Sequence, residues 1–393
     1  MRRVALRRLF RVVNGGTPTS EPDHWGGDIP WATPIDLARV NGGQLASTHR
    51  TLTAQGLLTG SRLVAAGSLV VSTRAPIGYV AECATSTAFN QGCRGLQPVT
   101  EVNIRYFRYQ LFARADLLGS LGQGSTFVEL SNDALASLDL FAPPLRQQRA
   151  IADYLDTETA RIDALIDKKR RMIEILDERL EAEIRCVLRS LDAPWIPLKR
   201  RWRVIDCKHR TPKYLDEGYP VVSPGDATPG RLDLARCHRF VGEADYLDLA
   251  RAPRRPERGS IIYSRNASIG IASYVDTDQQ FCMGQDVCLV TSDEQNQLFL
   301  TCVLNSVGVD QLDQAKIGST FNRVNIAQIL ELSVPCPHPE VQRGVARQLD
   351  ARSRARDATK ATLLRQIDLL VEHRQALITA AVSGELEIPG VAA

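Results

Sequence analysis

No window of the 393-residue chain approaches eighteen consecutive apolar residues, so no stretch reads as a membrane-spanning helix. The first residues, Met1 to Val13, lack an apolar stretch followed by a small-residue cleavage site, which argues against a secretory signal. Cys-x-x-Cys pairs are missing too. The nine cysteines are odd in number and scattered, which reads as reduced thiols in a cytoplasmic protein. There is no G-x-x-x-x-G-K-[ST] phosphate loop, no Gly-rich turn opening a βαβ unit, and no Asn/Asp-Pro-Pro-Tyr/Phe motif for gripping a flipped base. No Ser/His/Asp or paired-carboxylate arrangement stands out either, so the expectation is binding without catalysis and without a cofactor in this chain. Cys207-x-His209 and Cys237-His238 offer zinc-type ligands, but their spacing matches no compact template, and no metal is expected.

What is present is an ordinary globular composition, with 44% apolar and 24% charged residues and a net charge of only +3. The basic residues are clustered. Five of the first eleven residues are Arg, and Arg251, Arg254, Arg255 and Arg258 lie within eight residues. Such clusters are either solvated faces or phosphate-binding ones.

The chain is also internally duplicated. Gly124-Ser125-Thr126-Phe127 recurs as Gly318-Ser319-Thr320-Phe321, an offset of 194, and at that offset residues 124–156 match 318–350 at 11 of 33 positions. Ordinary composition would give about two. Upstream, Thr17-Pro18 answers Thr211-Pro212 and Thr33-Pro34-x-Asp36 answers Ser223-Pro224-x-Asp226. Val70-Val71-Ser72-Thr73-Arg74 aligns with Ile261-Ile262-Tyr263-Ser264-Arg265.

Each half begins with short β-rich runs between Gly and Pro punctuators, a mixed α/β texture. After Pro143-Pro144, no Pro or Gly interrupts the chain from Gln147 to Arg189, and Ile151, Leu155, Ile162, Ile166, Leu176, Leu180 and Ile184 fall on one stripe. The counterpart after Pro337-His338-Pro339 carries Val345, Leu349, Leu363, Ile367, Leu370, Leu377 and Ala381 and stops at Gly384. Two long helices with narrow stripes are expected to pack as a coiled-coil-like antiparallel pair, the alternative being two helices packed separately on their own domains. The stripe weakens over Arg352–Lys360, where the helices either splay or meet a partner.

At these residues the chain resembles the specificity subunit of type I restriction-modification systems. The resemblance is carried by Asn14-Gly15-Gly16-Thr17-Pro18, Trp25-Gly26-Gly27-Asp28-Ile29-Pro30-Trp31, Arg74-Ala75-Pro76-Ile77-Gly78, Asn90-Gln91-Gly92 and Gly124-Ser125-Thr126-Phe127, with Pro143-Pro144-Leu145 leading into the helix. It implies two target recognition domains, each reading half of a split site in double-stranded DNA, and two spacer helices on which two adenine methyltransferase subunits dock. S-adenosylmethionine would belong to those subunits. ATP and Mg would belong to motor-nuclease subunits of a full phage-defence complex. A solitary DNA-binding adaptor of the same fold, or a protein-binding scaffold, are the alternatives.

The expected architecture is therefore α/β, pseudo-two-fold symmetric, with domain 1 over 1–145, a spacer helix over 146–190, domain 2 over 191–338, a second helix over 339–383 and a tail over 384–393. Base-contact candidates are Arg74, Asn90 and Gln91 in the first half, and His209, Arg265, Asn266 and Gln285 in the second. Arg reads guanine bidentately and Asn or Gln reads adenine, although a loop Arg can equally satisfy carbonyls and an Asn can cap an Asx turn. Arg7, Arg8, Lys199, Arg200, Arg254 and Arg255 are phosphate-contact candidates. Ser125, Thr126, Ser319 and Thr320 join them, because identity between halves argues against base discrimination. Ile151, Leu155, Leu176, Leu180, Leu349, Leu370 and Leu377 are the expected partner-docking positions.

Overall fold

The computed structural model describes residues 2–123, 128–316 and 323–388. Contacts group the chain into two units, Met1–Lys168 with Arg365–Ala393, and Lys169–Leu364. The same plan builds both. In the first, a five-stranded sheet runs in the order Phe10–Asn14, Cys93–Pro98, Leu69–Ser72, Val80–Cys83, Gln44–Leu45. In the second, the order is Arg203–Asp206, Val287–Thr291, Ile261–Ser264, Ala272–Tyr274, Gly230–Arg231. The central strands are Leu69-Val-Val-Ser72 and Ile261-Ile-Tyr-Ser264, all buried. A continuous β-branched run without alternation suits a strand covered on both faces. A second sheet is built around Trp25–Ala32 in one unit and Tyr219–Val222 in the other, each pairing in parallel with a later short strand. The expected α/β class and internal duplication are thus borne out.

One alignment from the sequence needs correction. Ser72 pairs with Cys93, while Ser264 pairs with Val287, and Cys93 and Val287 are themselves 194 apart. Ser264 therefore answers Ser72, Arg265 answers Thr73, and Asn266 answers Arg74. The remaining hydrogen bonds agree, since Leu130 N–H donates to the Thr73 carbonyl and Val324 N–H to that of Arg265, both at 2.8 Å. A one-residue slip puts a side chain on the opposite face.

The long helices are Leu145–Arg189 and Pro339–Ser383. Each enters its unit through a buried glutamine. Gln148 accepts from the N–H of Asn103 at 2.9 Å and donates to the Pro143 carbonyl at 2.8 Å. Gln342 repeats this with Asn296 and Pro337, both at 2.9 Å. Asn103 and Asn296 in turn cap the helices Ile104–Phe112 and Gln297–Val303. Ile151 and Leu155 are fully buried in the first unit's core with Ile378 and Ala381, and Leu349 lies in the second unit's core with Leu188. Each such side chain contributes about 1.5–3 kcal/mol of burial. The helix segments are thus part of each unit's core.

Within each unit the two helix segments run antiparallel. In the first, Arg374 meets Asp163 at 3.1 Å. In the second, Arg352 pairs with Glu183, and Asp177 takes both Arg356 and Lys360, the latter at 2.8 Å. Over the weak stripe Arg352–Lys360 the helices do not splay, because ion pairs replace apolar contacts. Burial acts upward on the Asp177 carboxyl, but the Lys360 and Arg356 cations outweigh it and hold its pKa below the ordinary value. The second helix ends at Gly384, whose φ of +83° suits a residue without Cβ.

Candidate nucleic-acid interface

At the loop ends of the five-stranded sheets the two units share a frame and differ in polar groups. The frame includes a threonine–glutamine contact in each: Thr17 Oγ1 with Gln91 Oε1, and Gln285 Nε2 donating to Thr211 Oγ1 at 2.9 Å. Gln91 and Gln285 are exposed. In the first unit the loop Asn14-Gly15-Gly16 runs against the chain at Asn90, and a Cβ on Gly15 would sit 1.9 Å from the Asn90 carbonyl oxygen. Only glycine permits that approach.

On this frame the first unit carries a chain of charged and amide groups. Glu129 sits between Arg74, whose Nε lies at 3.1 Å, and Arg94, whose Nη2 lies at 3.0 Å. Arg94 Nε donates to Asn132 at 2.5 Å, and Asn132 donates to Asn14 at 2.7 Å. The Arg74 side chain remains 46% exposed. The corresponding positions of the second unit reverse the polarity. Asn266 replaces Arg74, Arg323 replaces Glu129, and both converge on Asp286, at 3.2 and 2.8 Å. Asp286 holds a φ of +65°. Sequence reasoning missed Glu129 and Arg323, although they lie at the constant offset of 194, because the adjoining Gly-Ser-Thr-Phe identity drew the alignment.

Arg265 is a different case. It is 5% exposed, with Nε donating to the Val324 carbonyl at 3.1 Å and Nη1 paired with Asp206. The register correction explains this: Arg265 takes the inward position of Thr73, so it serves the loop and does not present a free fork to a base. Asn90 is similarly engaged, its Oδ1 accepting from Gly92 N–H at 3.0 Å in an Asx turn. His209 is half exposed and lies 3.1 Å from Asp206 Oδ2.

Of the phosphate candidates, Arg8, Arg200 and Arg255 are exposed. Arg7 donates to Ser137 at 3.2 Å and Lys199 is paired with Glu331. Arg254 is half-buried, its Nε donating to the Asp206 carbonyl at 3.1 Å. Its neighbour Arg258 is held by Asp278 at 2.8 Å and Asp276 at 2.6 Å, so part of that basic run is already neutralised. Ser125, Thr126, Ser319 and Thr320 lie outside the described residues. An additional cation is Arg50, stacked 3.4 Å from the Trp25 ring centroid. Trp25 itself packs edge-on against Trp31 at 4.9 Å.

The expected docking residues need correction. Ile151, Leu155 and Leu349 are fully buried in the cores of their own units, and Leu180 is 8% exposed. Leu176, Leu370 and Leu377 are half-buried, with Leu377 packed on the first core. The large apolar side chains that the helices expose are Leu165, Met172 and Ile175 on the first and Val341, Leu364, Leu369 and Val371 on the second. None of the helices described is long and apolar enough to cross a membrane.

Comparison with known proteins agrees with this architecture. Residues 2–174 and 207–369 each match the type I restriction modification DNA specificity domain. The MjaIX type I restriction enzyme specificity subunit of Methanocaldococcus jannaschii is 32% identical over 177 residues. That match takes in 44% of this chain and 40% of the relative, so the chain spans less than half the length of that protein. A solved chain from a study of complex assembly and conformational transition in a type I R-M system superposes with a TM-score of 0.75, covering 98% of both chains at 16% identity. The HsdS subunit of Thermoanaerobacter tengcongensis gives a TM-score of 0.53 at 16% identity, covering 98% of this chain and 97% of that one. With both halves matched in order, the chain belongs to the type I restriction modification DNA specificity family.

Proposed function

We propose that the protein is the DNA-reading subunit of a type I restriction-modification complex, in which each unit reads one half of a split site. The observation that carries this reading is the pair of loop frames. Equivalent strand ends and a Thr–Gln contact support Arg74 with Glu129 in one unit and Asn266 with Arg323 in the other. Two readers of unlike sequences need a common support and different hydrogen-bonding groups. Arg74, Gln91, Asn266, Gln285 and Arg323 are the base-contact set under this reading, and Arg8, Arg200 and Arg255 supply sequence-independent attraction to phosphates. The chain itself performs no bond chemistry. Methyl transfer with S-adenosylmethionine, and ATP and Mg chemistry, belong to partner subunits, of which two methyltransferase chains are expected.

Docking of those chains uses the exposed apolar residues of the helices. The test is co-expression with the neighbouring methyltransferase, followed by co-purification and genome-wide mapping of methylated adenines. A split motif with unlike halves is expected. Met172→Glu with Ile175→Glu should abolish co-purification while leaving the chain folded. Normal assembly of that double variant would overturn the docking surface, and a complex without sequence-dependent methylation would overturn the reading role in favour of a scaffold.

A further inference from the structure

The strands Phe10–Asn14 and Arg203–Asp206 end at equivalent places, but the chains leaving them diverge. From Asn14 to Thr17 the first unit has two glycines. From Asp206 to Thr211 the second has Cys207-Lys208-His209-Arg210, two residues more. The first loop lies against backbone and brings no ligand side chain. The second places a carboxylate, a thiol and an imidazole together, with one ligand atom from each within 4.8 Å of the others. Among the described residues no other group of three His, Cys, Asp or Glu side chains is so disposed.

The cluster is also oriented from behind. Asp206 Oδ1 accepts from the Cys207 N–H at 2.9 Å and from the buried Arg265 guanidinium, which leaves Oδ2 facing His209 Nε2 at 3.1 Å. Arg254 Nε fixes the Asp206 carbonyl at 3.1 Å. Carboxylates at metal sites are held in this manner by outer contacts. Cys207 is 2% exposed, and its Sγ points at His209 Nδ1, 3.9 Å away. His209 has a side-chain exposure of 56%, so one side of the cluster is open to solvent. The other zinc-type residues in the sequence, Cys237 and His238, are not part of the group.

We propose that Asp206, Cys207 and His209 bind one zinc-type dication, with the fourth position open to water. Oxygen, sulfur and nitrogen in one set is the donor mixture that zinc accepts. Tetrahedral bonds of about 2.0–2.3 Å place ligand atoms about 3.3–3.6 Å apart. The ligand atoms, now within 4.8 Å of one another, draw together on binding, with one His209 ring nitrogen turned to the ion. The Cys207 thiolate and the Asp206 carboxylate offset the dication's charge, with Asp206 shared between the ion at Oδ2 and the Arg265 guanidinium at Oδ1. Binding exchanges the Cys207 thiol proton for the Sγ–metal bond and releases it to solvent. Affinity consequently rises with pH. The bound ion would tie the strand end to the loop that carries Thr211, the partner of Gln285.

The experiment is titration of the full reduced chain with cobalt(II), followed by displacement with zinc. One cobalt per chain is expected, with a cobalt–thiolate charge-transfer band that zinc abolishes. Cys207→Ser should remove that band, and Cys186→Ser, at an exposed cysteine elsewhere, should keep it. Should Cys207→Ser fail to fold, His209→Ala at its exposed position reads the same question and should lower cobalt affinity more than about 10-fold. No thiolate band at millimolar cobalt would overturn the site. So would a band that survives in Cys207→Ser, or unchanged affinity in His209→Ala.

Discussion

Single side chains at the loop ends separate support from reading. Arg74 and Arg265 are both arginines just beyond a central strand, yet one is 46% exposed in its side chain and the other is 5% exposed overall. The difference is one residue of register, which turns one guanidinium to solvent and the other onto Asp206 and the Val324 carbonyl. Arg74→Ala and Asn266→Ala should therefore act on different half-sites. Each should cost about 1–3 kcal/mol of discrimination, or roughly 5- to 150-fold, at bases of one half only. Binding of the assembled complex to a panel of single-base variants measures this, and equal losses at both halves would reassign the residues to phosphate contact. Arg265→Ala should instead destabilise the second unit, because Asp206 would lose its buried partner.

Individual elements are joined to the units by a few buried polar contacts. Gln148 and Gln342 are 5% and 0% exposed and make the same two hydrogen bonds at the heads of the two long helices. Gln148→Ala leaves the Asn103 N–H without its acceptor and should cost the first unit about 1–3 kcal/mol. A falling urea midpoint with an unchanged slope would report it. The helix pair of the second unit should respond to acid. The Asp177 pKa is depressed, so its pairing with Lys360 and Arg356 stabilises the folded state above the ordinary carboxylate pKa. That stabilisation is lost as pH falls through the folded value. The pair is about one-third exposed, so about 0.5–1 kcal/mol is expected. Asp177→Asn should lower the urea midpoint at neutral pH, and the difference from the native chain should shrink as pH falls through the folded value. Parallel curves for both proteins across that range would contradict the pairing.

At the scale of the molecule, duplication makes the units interchangeable. Both carry the same sheet order, the same buried glutamine and the same Thr–Gln contact. Replacing residues 196–317 with residues 4–123 should therefore give a hybrid in which equivalent chain ends meet equivalent landmarks. Expressed with its methyltransferase partner, the hybrid should methylate a site whose two half-sequences are the same. An assembled hybrid that still modifies the original asymmetric site would show that the units do not read independently.

The amino-acid sequence alone determined the duplication, the α/β class and the two long helices. These rest on local properties: repeated landmarks, a 3.6-residue apolar period and Pro or Gly stops. It also indicated Arg74 and Gln91 as exposed loop residues. It did not decide which stripe residues are core. Ile151 and Leu176 belong to one periodic stripe, but Ile151 is buried and Leu176 only half-buried, because the first unit folds against its own part of the helix. Nor did it decide the face of Arg265, because a one-residue slip costs nothing in a sequence alignment and reverses a side chain in a strand. Cys207 and His209 already stood one residue apart in the sequence, but the opposed chemistries of Glu129 and Arg323 were likewise left to tertiary structure. Such groups depend on where separate loops converge, a distance that no spacing along the chain encodes.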